Sequence, residues 1–379
     1  MPTVITAADG ADFLALVPHL LGYQPERSVV LVAFRGRRTC GALRFDLPDA
    51  ASTAQLRRTA TTMVGMLCRI PSVDAMVAVV YTDATFADGM PHADLLDVLV
   101  HRAEVSGLRV RDAFCVGVDA WASLLDPESP KGGHPLGEIA ASAVSAVARA
   151  EGLSTDRQPK GEVSLPSVSL ADAERVARIL DSVDRHCVAG TVLEVAAAPL
   201  MDLVARVEEL LGRPVGDLRA GDLALLGAVA ERPLQRDVVI LQVAFGRAAG
   251  HRAAAMQLAA LDGESIDDDA GAHLLSGTGP RPDPDRLERG IEVMSLVTAA
   301  MPRSRRAGAF SMLAWFHWAL GSSSRAAVHI DRALECDPGH GLSELIDRMV
   351  RGGRLPDWAF DVPLVDESEV RYAALPHSA

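Results

Sequence analysis

Lysine is almost missing from this chain. Of its 37 Lys and Arg residues only Lys131 and Lys160 are lysines, and they face 50 Asp and Glu for a net charge of −13. That balance disfavours a general nucleic-acid-binding surface, which needs clustered cations to neutralise phosphates. The short runs Arg35, Arg37, Arg38 and Arg303, Arg305, Arg306 read as a solvated turn and a helix start. The preference for Arg over Lys points to a GC-rich coding sequence, and so to a GC-rich bacterium. Aromatic residues are only 4% of the chain, so the core is expected to be aliphatic. The five cysteines stand singly with no C-x-x-C pair, which argues against zinc ribbons and redox dithiols. Cys40, Cys68 and Cys115 fall in strand-like or helix-like runs and read as small buried hydrophobes. Reduced thiols fit a cytoplasmic protein. No apolar run reaches the ~18 residues of a membrane span, and the first residues lack the charged and apolar regions of a signal peptide, so no membrane partner is expected.

What is present suffices for a sizeable core: 379 residues, 49% of them hydrophobic, enough for two or three domains. Asp9 opens a helical pattern through Phe13, Leu14, Val17 and Leu20, with Pro18 expected to kink or break it and Gly22 to cap it. Ser28 to Phe34 is a continuous apolar run, a strand covered on both faces. A turn at Arg35 to Arg38 leads to a second strand ending at Asp46. Helix 50–69, strand 74–82, helix 92–106 and strand 108–118 follow. The alternation predicts an α/β domain over 1–120 with a mixed, mostly parallel sheet. Residues 121–169 read as a loop, a helix and a linker, and 170–261 as helical, with one long helix over 234–261. An acidic and Pro/Gly-rich loop fills 262–283; helical hairpins fill 284–355, and a tail runs over 356–379. Within the hairpins Ala314, Ala326, Ala333, Ile330 and Pro338 follow a tetratricopeptide-like pattern over a single helix pair.

In open α/β sheets, ligands bind beyond the carboxyl ends of the strands. Three such ends carry an acid: Asp46, Asp83 and Asp119. Brought together they could hold Mg²⁺ with water ligands, or orient the hydroxyls of a ligand. Tyr81, Thr82 and Trp121 would stand beside them for stacking and hydrogen bonding. The bland alternative is that Asp after a strand caps the next helix or favours a turn. His92 and His101 follow Asp83 and read as solvent-facing or cap residues, with general-base work as the sharper reading. His134, in a Gly-Gly-His-Pro loop, is a lid candidate. Gly277-Thr278-Gly279 lacks the preceding strand of a phosphate loop, and no G-x-S-x-G, Walker A or H-E-x-x-H motif occurs. Trp315 and Trp318 form an aromatic helix face that would be either core or a partner-binding stripe.

The segment Leu20-Leu21-Gly22-Tyr23-Gln24-Pro25, the valine-rich run from Ser28, Asp46-Leu47-Pro48 and Tyr81-Thr82-Asp83 together resemble an uncharacterised actinobacterial family catalogued as a domain of unknown function. The tail, from Leu313-Ala314-Trp315 to Trp318 and from Arg332 to Pro338, resembles it too. Members of that family carry cysteines after the tryptophan that follows strand four, where Trp121 to Gly137 has none here. A metal or redox role for that stretch would not transfer. The resemblance implies a fold and no reaction. With no nucleophile or cofactor motif in the chain, the function expected is non-catalytic ligand or partner binding. The alternatives are a divalent-metal-dependent enzyme acting on a phosphorylated or nucleotide-like molecule at the strand ends, and a scaffold built on the terminal helix pair.

Overall fold

A computed structural model describes residues 5–21, 23–49, 52–150, 164–187, 199–262, 270–360 and 370–372. Gly22, most of the linker and all of the acidic run but Asp262 lie outside them. The chain divides into two units, 1–160 with 360–379, and 161–359.

Among the described residues the first unit has eight strands: β1 (Ile5–Ala7), β2 (Ser28–Arg35), β3 (Arg38–Asp46), β4 (Ala75–Tyr81), β5 (Arg109–Val116), β6 (Ala120–Ser123), β7 (His134–Pro135) and β8 (Val370–Tyr372). Their order in the sheet is β1-β8-β3-β2-β4-β5-β6-β7. The apolar runs sit at the centre, as they must: β2 is buried from Ser28 to Phe34 and β4 throughout. β2 runs antiparallel to both β3 and β4, and β4 pairs parallel with β5. The mixed sheet therefore has one parallel pair at its heart, and antiparallel β6 extends it beyond residue 120.

Helix α1 (Gly10–Leu21) continues through Pro18. The proline lies in the last turn, where its missing N–H forfeits one hydrogen bond and no more. Phe13, Leu14 and Val17 of α1 join Val30, Val77, Val79, Tyr81, Phe114 and Trp121 in one core. Helices α2 (Thr53–Leu67) and α3 (Ala93–Val105) connect the strands. Short helices α4 (Gly137–Ala141) and α5 (Ala143–Ala150) follow β7. The carboxylate of Asp12, buried in α1, accepts from Val144 N–H and so receives the start of α5.

The second unit is helical: α6 (Leu170–Cys187), α7 (Pro199–Gly212), α8 (Ala220–Ala230), α9 (Pro233–Phe245), α10 (Arg247–Leu261), α11 (Ala270–Leu275), α12 (Pro284–Ala300), α13 (Ala307–Ala319), α14 (Ser323–Cys336) and α15 (Gly341–Arg351). The single helix expected over 234–261 is two, because Gly246 adopts φ +85° between α9 and α10. Its core is aliphatic with a tryptophan cluster: Trp315, Trp318 and Trp358 are at most 1% exposed. Among the described residues no helix is long and apolar enough to cross a membrane.

Candidate functional site

The parallel pair defines where a site can form. Beyond the carboxyl ends of β4 and β5 lies a pocket of about 350 Å³. Tyr81 and Thr82 at the end of β4 and Val116 and Gly117 at the end of β5 form its base, with Asp83 at the rim. The turn Gln24 to Arg27 forms one wall, and Leu136, Ile139 and Ala140 of α4 form another. The turn is there because β2 is antiparallel: its first residue, Ser28, pairs with Tyr81, so whatever precedes β2 stands over the end of β4.

Asp83 at the rim pairs with Arg27 at 3.2 Å, with both side chains more than 60% exposed. Asp49 lies 3.9 Å from the same guanidinium. Arg27 has φ +39°, a left-handed backbone that a non-glycine residue adopts at a cost of about 1 kcal/mol. In that conformation its carbonyl accepts from Leu47 N–H at 2.9 Å, which holds the residue in place.

Tyr81 is 5% exposed and its hydroxyl is buried without a hydrogen-bond partner. Burial drives its acidity down, so the phenol stays protonated. Thr82 Oγ1 accepts from Ala84 N–H at 3.2 Å and meets His92 Nε2 at 3.1 Å. No third side chain orients the His92 ring among the described residues, and His92 is itself left-handed at φ +55°.

A continuous row of side chains crosses the sheet behind this pocket. Ladder partners share a face, and the register runs Asp46–Ser28–Tyr81–Val116–Trp121–His134. Ser28 Oγ and Trp121 Nε1 are buried without partners, like the Tyr81 hydroxyl. The buried Arg44 side chain pairs with Asp46 at 2.7 Å.

Three of the residues expected at a site, Tyr81, Thr82 and Asp83, thus line one pocket, and three do not. Asp46 sits two strands away from β4 and faces Arg44. Asp119 lies in the β5–β6 turn, where its carboxylate accepts from Phe86 N–H at 3.1 Å and pins the loop after β4. Trp121 is core, stacked on His134 with ring centroids 4.5 Å apart. The expected metal trio of Asp46, Asp83 and Asp119 is not gathered: among the described residues no three His, Cys, Asp or Glu are placed to share an ion. Each carboxylate instead serves its own local contact.

Other expectations change as well. His134 is held in β7 on the Trp121 ring and pairs with Glu138 at 3.5 Å, so it is no free lid. Cys68 is exposed and Cys40 half-buried; only Cys115 of the three behaves as a buried hydrophobe, its thiol pushed up to about 12 by desolvation. Trp315 and Trp318 are fully buried and cannot meet a partner. Their indole N–H groups donate to Leu275 O and Arg354 O, both at 2.8 Å. The residues that pattern reading missed are Gln24, Glu26 and Arg27 with the α4 wall. Their only signal was the turn at Pro25, and nothing local says which strand it faces.

The model of a family described as "Domain of unknown function (DUF4192)" matches residues 11–357. No curated protein and no solved structure matches the chain.

Proposed function

The chain belongs to the DUF4192 family, and from that premise we propose that it is a non-catalytic small-ligand-binding protein whose site is the pocket at the carboxyl ends of β4 and β5. The observation that carries this reading is the coincidence of a concave space of about 350 Å³ with the parallel strand pair at the centre of the sheet. Such edges are where open sheets receive ligands, and the volume suits a single small molecule. The wall mixes apolar side chains from Pro25, Val116, Leu136 and Ile139 with the rim charges of Arg27 and Asp83, the composition expected of a binding cleft. The left-handed Arg27 adds weight, because strained backbone concentrates where geometry serves a ligand.

A catalytic reading has one observation in its favour, the 3.1 Å approach of Thr82 Oγ1 to His92 Nε2. A nucleophile–base pair needs a third group to orient the base, and that group is missing among the described residues. We therefore rank binding first. The test is a thermal-shift screen of metabolites against the full chain and Ala140→Trp, which puts a large ring across the pocket wall from an exposed helix position. A ligand that binds N stabilises it by mass action. Hits should raise the Tm of the wild type and lose their effect in the variant. Hits that act equally on both would place binding elsewhere.

A further inference from the structure

We propose that the pocket takes a zwitterionic α-amino acid with an aliphatic side chain. This rests on the pocket being the ligand site and goes on to name its ligand.

The rim electrostatics choose the class. Arg27 is the one cation among the pocket-lining residues, beside Glu26 and Asp83 and with Asp49 3.9 Å away, while the nearby Arg44, 3.3 Å from the Glu26 carbonyl, is already held by Asp46. A phosphate brings at least one full negative charge and would meet three carboxylates with a single guanidinium to balance them, so phosphorylated ligands are disfavoured. A plain amine would satisfy Asp83 and leave Arg27 only its 3.9 Å approach to Asp49. A zwitterion satisfies both: its ammonium goes to Asp83 and its carboxylate to Arg27, which can grip it with two parallel N–H donors. The exchange is cheap. The Arg27–Asp83 pair is 3.2 Å long and exposed on both sides, and such solvated pairs contribute little to stability. The zwitterion inserts between two charges that water already solvates.

The wall chooses the side chain. Pro25, Val116, Leu136 and Ile139 present aliphatic surface beyond the ion pair. A side chain of three or four carbons would leave water there, which favours binding with each methylene buried. The carbonyl tie to Leu47 N–H holds the Arg27 backbone left-handed and so sets where the side chain of the clamp begins.

The experiment is titration calorimetry on the full chain with L-leucine, N-acetyl-L-leucine, L-leucinamide and glycine, repeated on Arg27→Gln and Asp83→Asn. Both positions are exposed, and an unchanged Tm will show that the variants fold. Leucine should bind the wild type, with each of the other three at least tenfold weaker. Arg27→Gln should weaken leucine at least tenfold and leave leucinamide unchanged; Asp83→Asn should weaken leucine and leave N-acetyl-leucine unchanged. Absence of binding by leucine, isoleucine, valine and methionine at millimolar concentration overturns the proposal. So does leucine binding that neither variant alters. If the amino acids are inert while some other ligand is lost in Ala140→Trp, the zwitterion fails and the pocket stands.

Discussion

At the scale of single residues, the four tryptophans make a natural comparison. Trp358 donates its indole N–H to Ala319 O at 2.9 Å, and Trp315 and Trp318 are likewise satisfied. Trp121 keeps a buried N–H with no partner. Phenylalanine removes the donor and keeps an aromatic ring, so Trp358→Phe leaves a carbonyl unsatisfied whereas Trp121→Phe leaves nothing. Chemical denaturation should show Trp358→Phe losing about 1–2 kcal/mol more than Trp121→Phe. A second residue-level expectation concerns His329. Its ring stacks on His317 at 5.0 Å, 3% exposed, with Nδ1 unpartnered, and desolvation lowers its pKa to about 4. An unfolded histidine titrates near 6.5. Below that value the unfolded state takes up a proton the native state refuses, so stability declines as pH falls from about 6.5 towards 4. The loss amounts to about 3 kcal/mol when fully developed. His329→Leu should flatten that part of the stability–pH curve, which equilibrium unfolding at several pH values will reveal; an unchanged slope would refute the role.

At the scale of elements, glycine separates helix faces that meet a neighbour from helix faces that stand open. A Cβ on Gly308 of α13 would stand 2.1 Å from Ala230 O of α8, so these helices meet backbone to side. A Cβ on Gly65 of α2 meets nothing within 4 Å. Gly65→Ala should therefore stabilise by about 0.5–1 kcal/mol through helix propensity. Gly308→Ala should cost about 1–3 kcal/mol or more, because the helices must part. Melting temperatures moving in opposite directions would bear this out. The same logic explains Gly277, expected only as a fragment of a loop motif. A Cβ there would lie 2.5 Å from the Trp318 ring, so this glycine makes room for the tryptophan cluster. Helices α7, α9 and α12 are tied by Arg286, which grips Glu208 at 2.7 and 2.9 Å, while buried Gln242 donates to the same carboxylate.

At the scale of the molecule, the chain leaves its first unit and returns to it: β8, from residues 370–372, pairs with β1 and β3. Phe360, also of the first unit, lies beneath the Arg69 guanidinium at 4.0 Å. The first unit is thus not a contiguous stretch of sequence. A fragment of residues 1–160 lacks the strand between β1 and β3 and should melt lower than the same unit in the full chain, with recovery when a 360–379 peptide is added. The second unit has its own core from Val176 to Trp358. Expressed as 161–359 it should unfold in one cooperative transition by circular dichroism; a featureless melt would show that it depends on the rest.

The sequence by itself determined the elements and their class. Apolar runs at Ser28–Phe34 and Asp74–Thr82 can only be satisfied as strands covered on both faces, and the 3.6-residue periodicity after residue 170 can only bury its stripe as packed helices. It also located the Tyr81-Thr82-Asp83 strand end, because parallel strands expose their carboxyl ends to ligands. Only the tertiary structure decided the company that end keeps. Local pattern carries no record of strand order, so it could not say that β2 lies between β3 and β4, and this interposed strand is what holds Asp46 away from Asp83. Nor could it say that the turn before β2 carries Arg27 across to the end of β4, since that follows from the antiparallel pairing of Ser28 with Tyr81. Burial was equally out of reach for Trp315 and Trp318, whose helix is apolar on every side and therefore has no face that pattern alone can assign to the core.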